Sequence, residues 1–175
     1  KDKGRIYKIS APKNASTVAR PNELFAGLTP LEWIPFLADP NIWWRRHAQR
    51  LLVQDNDPSA RGEPARPAGG LVEPLAQAVL DFALETDSEL GLLHALWTLE
   101  GMNVFDSDVF HKALSSSQAG LRENAIKIAE LNTEERPELL SALYNLQNDP
   151  HPKVRFQLLC SLSLFDDPEK QQQKI

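Results

Sequence analysis

Four five-residue segments of this chain superimpose without gaps. They are Trp44-Arg45-Arg46-His47-Ala48, Gly91-Leu92-Leu93-His94-Ala95, Leu121-Arg122-Glu123-Asn124-Ala125 and Val154-Arg155-Phe156-Gln157-Leu158. Their last residues, Ala48, Ala95, Ala125 and Leu158, are 47, 30 and 33 residues apart. A return at that interval is the signature of stacked helical hairpins. A single hairpin cannot bury its apolar face, whereas a stack of them shares one continuous core. Residues 55–70 inflate the first interval. That stretch has no apolar period, is punctuated by Pro and Gly, and reads as a long surface loop.

Apolar stripes at helical spacing fill the rest of the chain. Thr29 is placed to cap a first helix with Pro30 as its first residue, and Leu31, Ile34 and Leu37 share one face. Asp39-Pro40 ends that helix and opens the next, with Asp39 as its cap. Trp44, Ala48, Leu51 and Leu52 line the second helix, and Leu71, Leu75, Ala78 and Phe82 the third. Leu92, Ala95, Leu96 and Leu99 follow, then Val109, Ala113 and Leu114, then Leu121, Ala125, Ile128 and Leu131. Leu139, Leu143 and Leu146 make a seventh helix, and Val154, Leu158, Leu162 and Phe165 an eighth.

The expected fold is therefore all-α. It is an α-solenoid of about four antiparallel helix pairs, with a short extended N-terminal segment. Residues 1–28 read as a strand and linker, because Gly4-Arg5-Ile6-Tyr7-Lys8-Ile9 alternates with period two and a Pro- and Asn-rich stretch follows. Residues 29–167 form the helical-repeat domain, and residues 168–175 a polar tail.

Asp39 and Asp149 are each followed by Pro, and each stands six residues before an arginine, Arg45 or Arg155. With Arg122 at the matching place, these five residues make a repeat ladder. The guanidinium groups are expected to meet carboxylates or helix-end carbonyls of a neighbouring turn, since Arg favours such forked bonding.

The run Asp149-Pro150-His151-Pro152-Lys153-Val154-Arg155 resembles the HEAT repeat pattern. A more specific resemblance rests on three motifs in order. They are Trp43-Trp44-Arg45-Arg46-His47-Ala48-Gln49-Arg50-Leu51-Leu52, His94-Ala95-Leu96-Trp97-Thr98-Leu99-Glu100-Gly101 and Leu121-Arg122-Glu123-Asn124-Ala125. Together they resemble the helical-repeat region of large exported bacterial proteins of the planctomycete type. In those membrane-bound dehydrogenase-like proteins a sugar-dehydrogenase-like β-propeller precedes the repeats and a c-type cytochrome domain often follows. Residues 4–9 resemble the closing strand of such a propeller. The resemblance implies a piece of a longer protein, an exported or periplasmic location, and a scaffold that links the propeller to the cytochrome. Haem would then belong to a separate domain. This chain carries no Cys-x-x-Cys-His motif, so no cofactor is expected on it.

The chemistry-bearing residues point the same way. There is no Gly-x-Ser-x-Gly, no phosphate loop and no dinucleotide fingerprint. Glu100, Glu123 and Glu130 lie near apolar faces without forming an acid–base pair, and Ser117 reads as a helix cap. His47, His94, His111 and His151 lack the spacing of a metal set. Cys160 is the single cysteine, which excludes an internal disulfide, and it lies in an apolar run expected to bury it. No catalytic, metal or cofactor residue is expected, and the chain is not expected to be an enzyme by itself.

The candidate interaction surface is Trp43, Trp44, Arg45, Arg46 and Arg50, with His94 and Trp97. Two tryptophans beside three arginines could contact a protein partner, or stack a base and grip a phosphate as in HEAT-like DNA-repair domains. A purely structural role, one Trp in the core and the arginines laddered with acids, is the third reading. The formal net charge of -5 and the pI of about 5.4 weigh against nucleic acid. No apolar run reaches the ~18 residues of a membrane span. Trp97 stands off the stripe Leu92, Ala95, Leu96, Leu99, on a helix apolar on more than one side. That helix is expected at the centre of the stack, with the Trp97 indole N–H bonded to an acceptor.

Overall fold

The computed structural model describes residues 25, 27–57, 74–132 and 139–165. Among them it is all-helical, with eight helices and no strand. The strand expected at residues 4–9, Leu71 of the expected third stripe and the tail 168–175 lie outside the described residues.

Helix α1 is the turn Pro30–Trp33, continued by a 3-10 segment, Ile34–Ala38. Its start follows the expected chemistry: Thr29 is the N-cap and Pro30 opens the helix. The Glu32 carboxylate accepts from the Thr29 N–H at 2.7 Å and from its Oγ1 at 2.8 Å. Then come α2 (Ile42–Asn56), α3 (Pro74–Glu85), α4 (Glu89–Gly101), α5 (Ser107–Leu114) and α6 (Ala119–Asn132). Helix α7 is Leu139–Tyr144, continued by the 3-10 segment Asn145–Asn148, and α8 is Pro152–Phe165.

Consecutive helices pair, α1 with α2, α3 with α4, α5 with α6, and the end of α7 with α8. The even-numbered helices also pack on one another in succession: α4 on α2, α6 on α4, α8 on α6. Helix α4 thus touches neighbours on several sides. It buries Leu92, Ala95, Leu96, Thr98 and Leu99. Its hydroxyl is accommodated because Thr98 Oγ1 donates to the His94 carbonyl at 2.7 Å. Glycines admit the close neighbours at both ends. A Cβ on Gly91 would sit 3.0 Å from the Ala38 Cβ, and one on Gly101 2.9 Å from Val53 Cγ2. Helix α4 closes with Asn103 in the left-handed region at φ 56°. The Asn103 N–H bonds the Glu100 carbonyl at 2.8 Å and the Val104 N–H the Leu99 carbonyl at 2.9 Å, a Schellman closure.

Helices α4 and α6 share one burial pattern, position for position, over residues 91–100 and 121–130. The expected inward faces of α4 and α5 fit the buried set, to which α5 adds Phe110; in α7 Leu139 and Leu143 are buried and Leu146 partly so. Four stripe assignments are corrected. In α3 the deepest residues are Ala76, Val79, Leu80 and Ala83, while Leu75, Ala78 and Phe82 are only partly buried. The buried positions are offset by one residue from the expected stripe, so the face that turns inward is the adjoining one. Leu31 and Leu131 are exposed, each one residue from an end of its helix. Cys160 is exposed, not buried: it lies on a side of α8 that its described packing partners, α6 and the end of α7, leave open.

Candidate functional site

The turn that precedes each even-numbered helix has one construction. A side-chain oxygen accepts the backbone N–H two residues on. Asp39 Oδ1 accepts from Asn41 at 2.7 Å, Thr86 Oγ1 from Ser88 at 3.1 Å, Ser116 Oγ from Gln118 at 2.9 Å, and Asp149 Oδ1 from His151 at 2.8 Å. These are Asx- and Ser/Thr-turns, which hold the chain in the bend before a helix. In the two Asp-Pro turns the proline also disfavours helical ψ at the aspartate, which stands at ψ 138° in Asp39 and 134° in Asp149.

Asp39 is not the helix cap expected of it, and Asp149, in the same pattern, is not one either. That role falls two residues later, where Asn41 Oδ1 accepts from Trp43 N–H at 3.0 Å. His151 Nδ1 takes the Lys153 N–H at 3.3 Å in the same way, and Ser88 Oγ that of Gly91 at 3.0 Å. In the third turn Ser116 closes the bend, whereas Ser117, expected as a cap, donates to Glu89 at 3.2 Å.

A cation holds the carbonyl of each turn residue. Arg45 Nη1 donates to Asp39 O at 2.5 Å and to Pro40 O at 2.9 Å. Arg122 Nη1 donates to Ser116 O at 2.7 Å, and Arg155 Nη1 to Asp149 O at 2.5 Å. Each arginine stands six residues after its carbonyl. At the fourth such place the sequence has Leu92, and Lys112 from α5 takes over. Its Nζ donates to Thr86 O at 2.8 Å, and also to Ala83 O at 3.0 Å and Leu84 O at 2.6 Å, the open carbonyls at the end of α3. Lys112 went unnoticed in the sequence because it belongs to the odd-numbered helix and has no fixed offset from the turn.

The ladder residues differ in what else they meet. Arg122 is buried and forms a forked ion pair with Asp149, Nε to Oδ2 at 2.7 Å and Nη2 to Oδ1 at 2.8 Å. The Arg122 hydrogen bonds hold the Asp149 carboxyl below its ordinary range, and they raise the arginine in return. Glu89 adds to that pull and also accepts from Ser116 Oγ at 2.5 Å. Arg45 is equally buried, yet its Nε has no hydrogen-bond partner. Arg155 is exposed.

The Trp/Arg cluster divides. Trp43 is 72% exposed, and Arg46 and Arg50 are exposed at three and seven residues further along α2, on the same face. Trp44 turns inward, with its ring 5.9 Å from that of Phe25, and Arg45 turns to its own bend. Phe25 also lies 4.8 Å from Phe36 and 5.1 Å from His47, so it covers the free side of α2.

His94 and Trp97 lie apart from the exposed patch, in the seams beside α4. His94 Nδ1 and Gln49 Oε1 are 2.8 Å apart. Burial, reinforced by Arg45 and then Arg46, pushes the imidazole down to about 4. It is therefore neutral near pH 7 and donates from Nδ1 to the amide oxygen. The indole Nε1 of half-buried Trp97 donates to Asn124 Oδ1 at 3.0 Å, across to α6. Between α6 and α8 the rung is Glu130, which accepts from Gln157 Nε2 at 2.7 Å and from Ser161 Oγ. In all three seams the residue just before the anchor position, His94, Asn124 or Gln157, reaches back to the previous even-numbered helix.

Glu100 borders a cavity of about 10 Å³ lined by Leu96, Leu99, Val104 and Val109, and burial raises its pKa. That volume holds about one water molecule. Among the described residues no three His, Cys, Asp or Glu side chains come together as a metal would need, and no helix is long and apolar enough to cross a membrane. No known protein family, no curated protein and no solved structure matches this chain.

Proposed function

We propose that this chain is a helical-repeat scaffold: about four HEAT-like antiparallel helix pairs stacked into an α-solenoid that binds protein and carries no catalytic site of its own. The observation that supports it is the bend built four times alike, at Asp39, Thr86, Ser116 and Asp149, each with its carbonyl held by a cation. A construction that recurs while some of its residues change from copy to copy is what degenerate repeats leave behind. By its resemblance the scaffold would join a dehydrogenase-like propeller to a c-type cytochrome domain. The contact surface is the face of α2 that presents Trp43, Arg46 and Arg50, since an exposed Trp with flanking Arg is the usual composition of a binding hot spot.

Calorimetric titration of this chain with the separate propeller and cytochrome domains of a protein of that kind tests the reading. One of them should bind at about 1 μM or tighter. Trp43→Ala should weaken that binding by ~30-fold, the loss of a hot-spot residue, without changing the helical content. Failure of both domains to bind would remove the linking role. The same Trp43, Arg46 and Arg50 face favours one second reading, a nucleic-acid contact. Anisotropy with labelled single-stranded and duplex DNA separates the two: binding that survives physiological salt and is lost in Trp43→Ala would transfer the surface to nucleic acid.

A further inference from the structure

The second bend differs from the other three in which helix supplies its cation. In the first, third and fourth bends the arginine belongs to the helix that the bend opens, so the charge and the carbonyl it grips move together. At that place α4 has the buried Leu92, which packs in the core instead. Lys112 reaches in from α5, across to the end of α3 and the bend beyond it. The second helix pair is thus closed by a charge that belongs to the third.

The carbonyl oxygens of Ala83, Leu84 and Thr86 stand 3.0, 2.6 and 2.8 Å from the Lys112 Nζ. An ammonium has three donors, and each finds one of these carbonyls. All three partners are neutral backbone oxygens. Two are open carbonyls at the end of α3, where the helix dipole favours a cation, and the third belongs to the bend. The flat guanidinium of the other bends forks between partners, whereas an ammonium is a compact point charge. Backbone carbonyls gathered around a point charge replace the water shell of a weakly hydrated ion of single charge. Magnesium and calcium are held by sites that supply carboxylates. The bond to Leu84 is exposed and the other two are partly buried, so the oxygens lie within reach of a dissolved ion once the lysine is withdrawn.

We infer that the carbonyls of Ala83, Leu84 and Thr86 form a binding site for a small cation of single charge, of the ammonium or potassium class, which this chain fills with its own Lys112. The site belongs to α3 and the bend, and the lysine is its tethered occupant. The joint between the second and third helix pairs depends on that occupancy. Withdrawing or neutralising the ammonium leaves three carbonyls to be satisfied and makes the joint depend on the cation in solution. The inference goes beyond the scaffold reading and needs no partner protein.

Chemical rescue tests this. Lys112→Ala removes the occupant and leaves room for a free cation. In choline chloride, whose cation is too bulky for the site and has no N–H, the variant should melt about 5 °C below the parent chain. Methylammonium chloride at about 0.5 M should restore at least half of that loss, with a saturating dependence on its concentration, and potassium chloride part of it. The parent chain should melt alike in all three salts, since its site is already filled. Lys112→Met loses the charge but keeps a long side chain in the same track, and should show the loss without the rescue. If Lys112→Ala is unfolded in choline, refolding on addition of methylammonium becomes the readout, and a chain unfolded in every salt overturns the inference. So does a Lys112→Ala midpoint equal to that of the parent, or one that responds alike to all three cations. The parent chain supplies an independent measurement. Acetylation by an activated acetyl ester, followed by peptide mass spectrometry, should be about tenfold slower at Lys112 than at the exposed Lys153, because the seated ammonium must first leave its carbonyls. Equal rates would show that Lys112 does not occupy the site. Binding of a partner to the α2 face is untouched by any of these outcomes, so the scaffold reading stands or falls separately.

Discussion

The rung between Arg45 and the second bend and the rung between Arg122 and the fourth bend begin from the same local structure and end differently. Both arginines are buried and both hold the carbonyl six residues back. The fourth bend offers Arg122 a carboxylate, Asp149, and the two form a forked pair. At the matching place the second bend has Thr86, whose Oγ1 is engaged with the Ser88 N–H, and the Arg45 Nε is left without a partner. One half of the molecule is therefore joined by an ion pair and the other by apolar packing and the neutral His94–Gln49 bond. An arginine can be fixed by its own turn at no cost to its neighbour's freedom to vary. Only the neighbour decides whether its charge is matched.

The largest effect should come from breaking the matched rung. Asp149→Ala leaves Arg122 buried beside an empty site, which typically costs 3–5 kcal/mol, so about that loss is expected in urea unfolding. Thr86→Ala removes only a turn bond and should cost about 0.5–2 kcal/mol. Equal losses would mean that the ion pair adds nothing to the bend it sits on. A repair of the weaker rung comes next. Thr86→Asp keeps the acceptor for the Ser88 N–H and brings a carboxylate toward the orphaned Arg45 Nε. A hydrogen bond between charged groups contributes about 1.5–3 kcal/mol, and a gain near the low end is expected because the new carboxylate must itself be desolvated. A loss of stability would show that Arg45 does not face the second bend as Arg122 faces the fourth.

The smallest effect separates the rungs by pH. The imidazole of His94 takes a proton at about 4 in the folded chain, and near 6.5 once unfolded. Between those values the unfolded state binds more protons. Stability from this group is complete above pH 6.5 and is lost as pH falls toward 4. His94 is only half-buried, so solvent screening reduces the slope to about 1–2 kcal/mol across that window. His94→Gln should flatten it. Asp149, held below its ordinary 3.8, acts lower: its contribution is present above that value and is lost as pH falls further. Urea midpoints at pH 7, 5 and 4 should therefore separate His94→Gln from the parent chain, while the slope due to Asp149 appears below pH 4. A His94→Gln profile parallel to that of the parent would deny the histidine its part in the α2–α4 seam.

Much of the architecture was legible because helical periodicity and turn chemistry are local. Thr29-Pro30, the stripe Leu92, Ala95, Leu96, Leu99, and the pairing of Asp39-Pro40 with Asp149-Pro150 each depend on neighbours a few residues away. Local reasoning failed at edges. Leu31, Leu131 and Cys160 are apolar or thiol side chains on helical stripes, and they are exposed because a stripe counted along one helix does not say how far the neighbouring helices cover it. The phase of α3 was missed because two adjoining apolar stripes, Leu75, Ala78, Phe82 and Ala76, Val79, Leu80, Ala83, compete on one helix, and only its packing neighbours choose between them.

The site divided along the same line. The sequence placed Arg45, Arg122 and Arg155 at one register and put Trp97 off its helix's main stripe, since both follow from counting residues around a helix. It put Trp44 on the inward stripe of its helix, where Phe25 meets it, yet it also kept Trp44 beside Trp43 in the candidate surface, and of the two only Trp43 is exposed. Nor could it assign Lys112 to the carbonyls of α3, a contact between residues 26 to 29 positions apart. By itself the sequence determined the helices, their bends and the register of the arginines, because backbone sterics and short-range hydrogen bonds fix these within a few residues. Only the tertiary structure decided which arginine is matched, which is orphaned and which faces solvent, because burial and pairing depend on what the adjacent pair of helices brings to the contact.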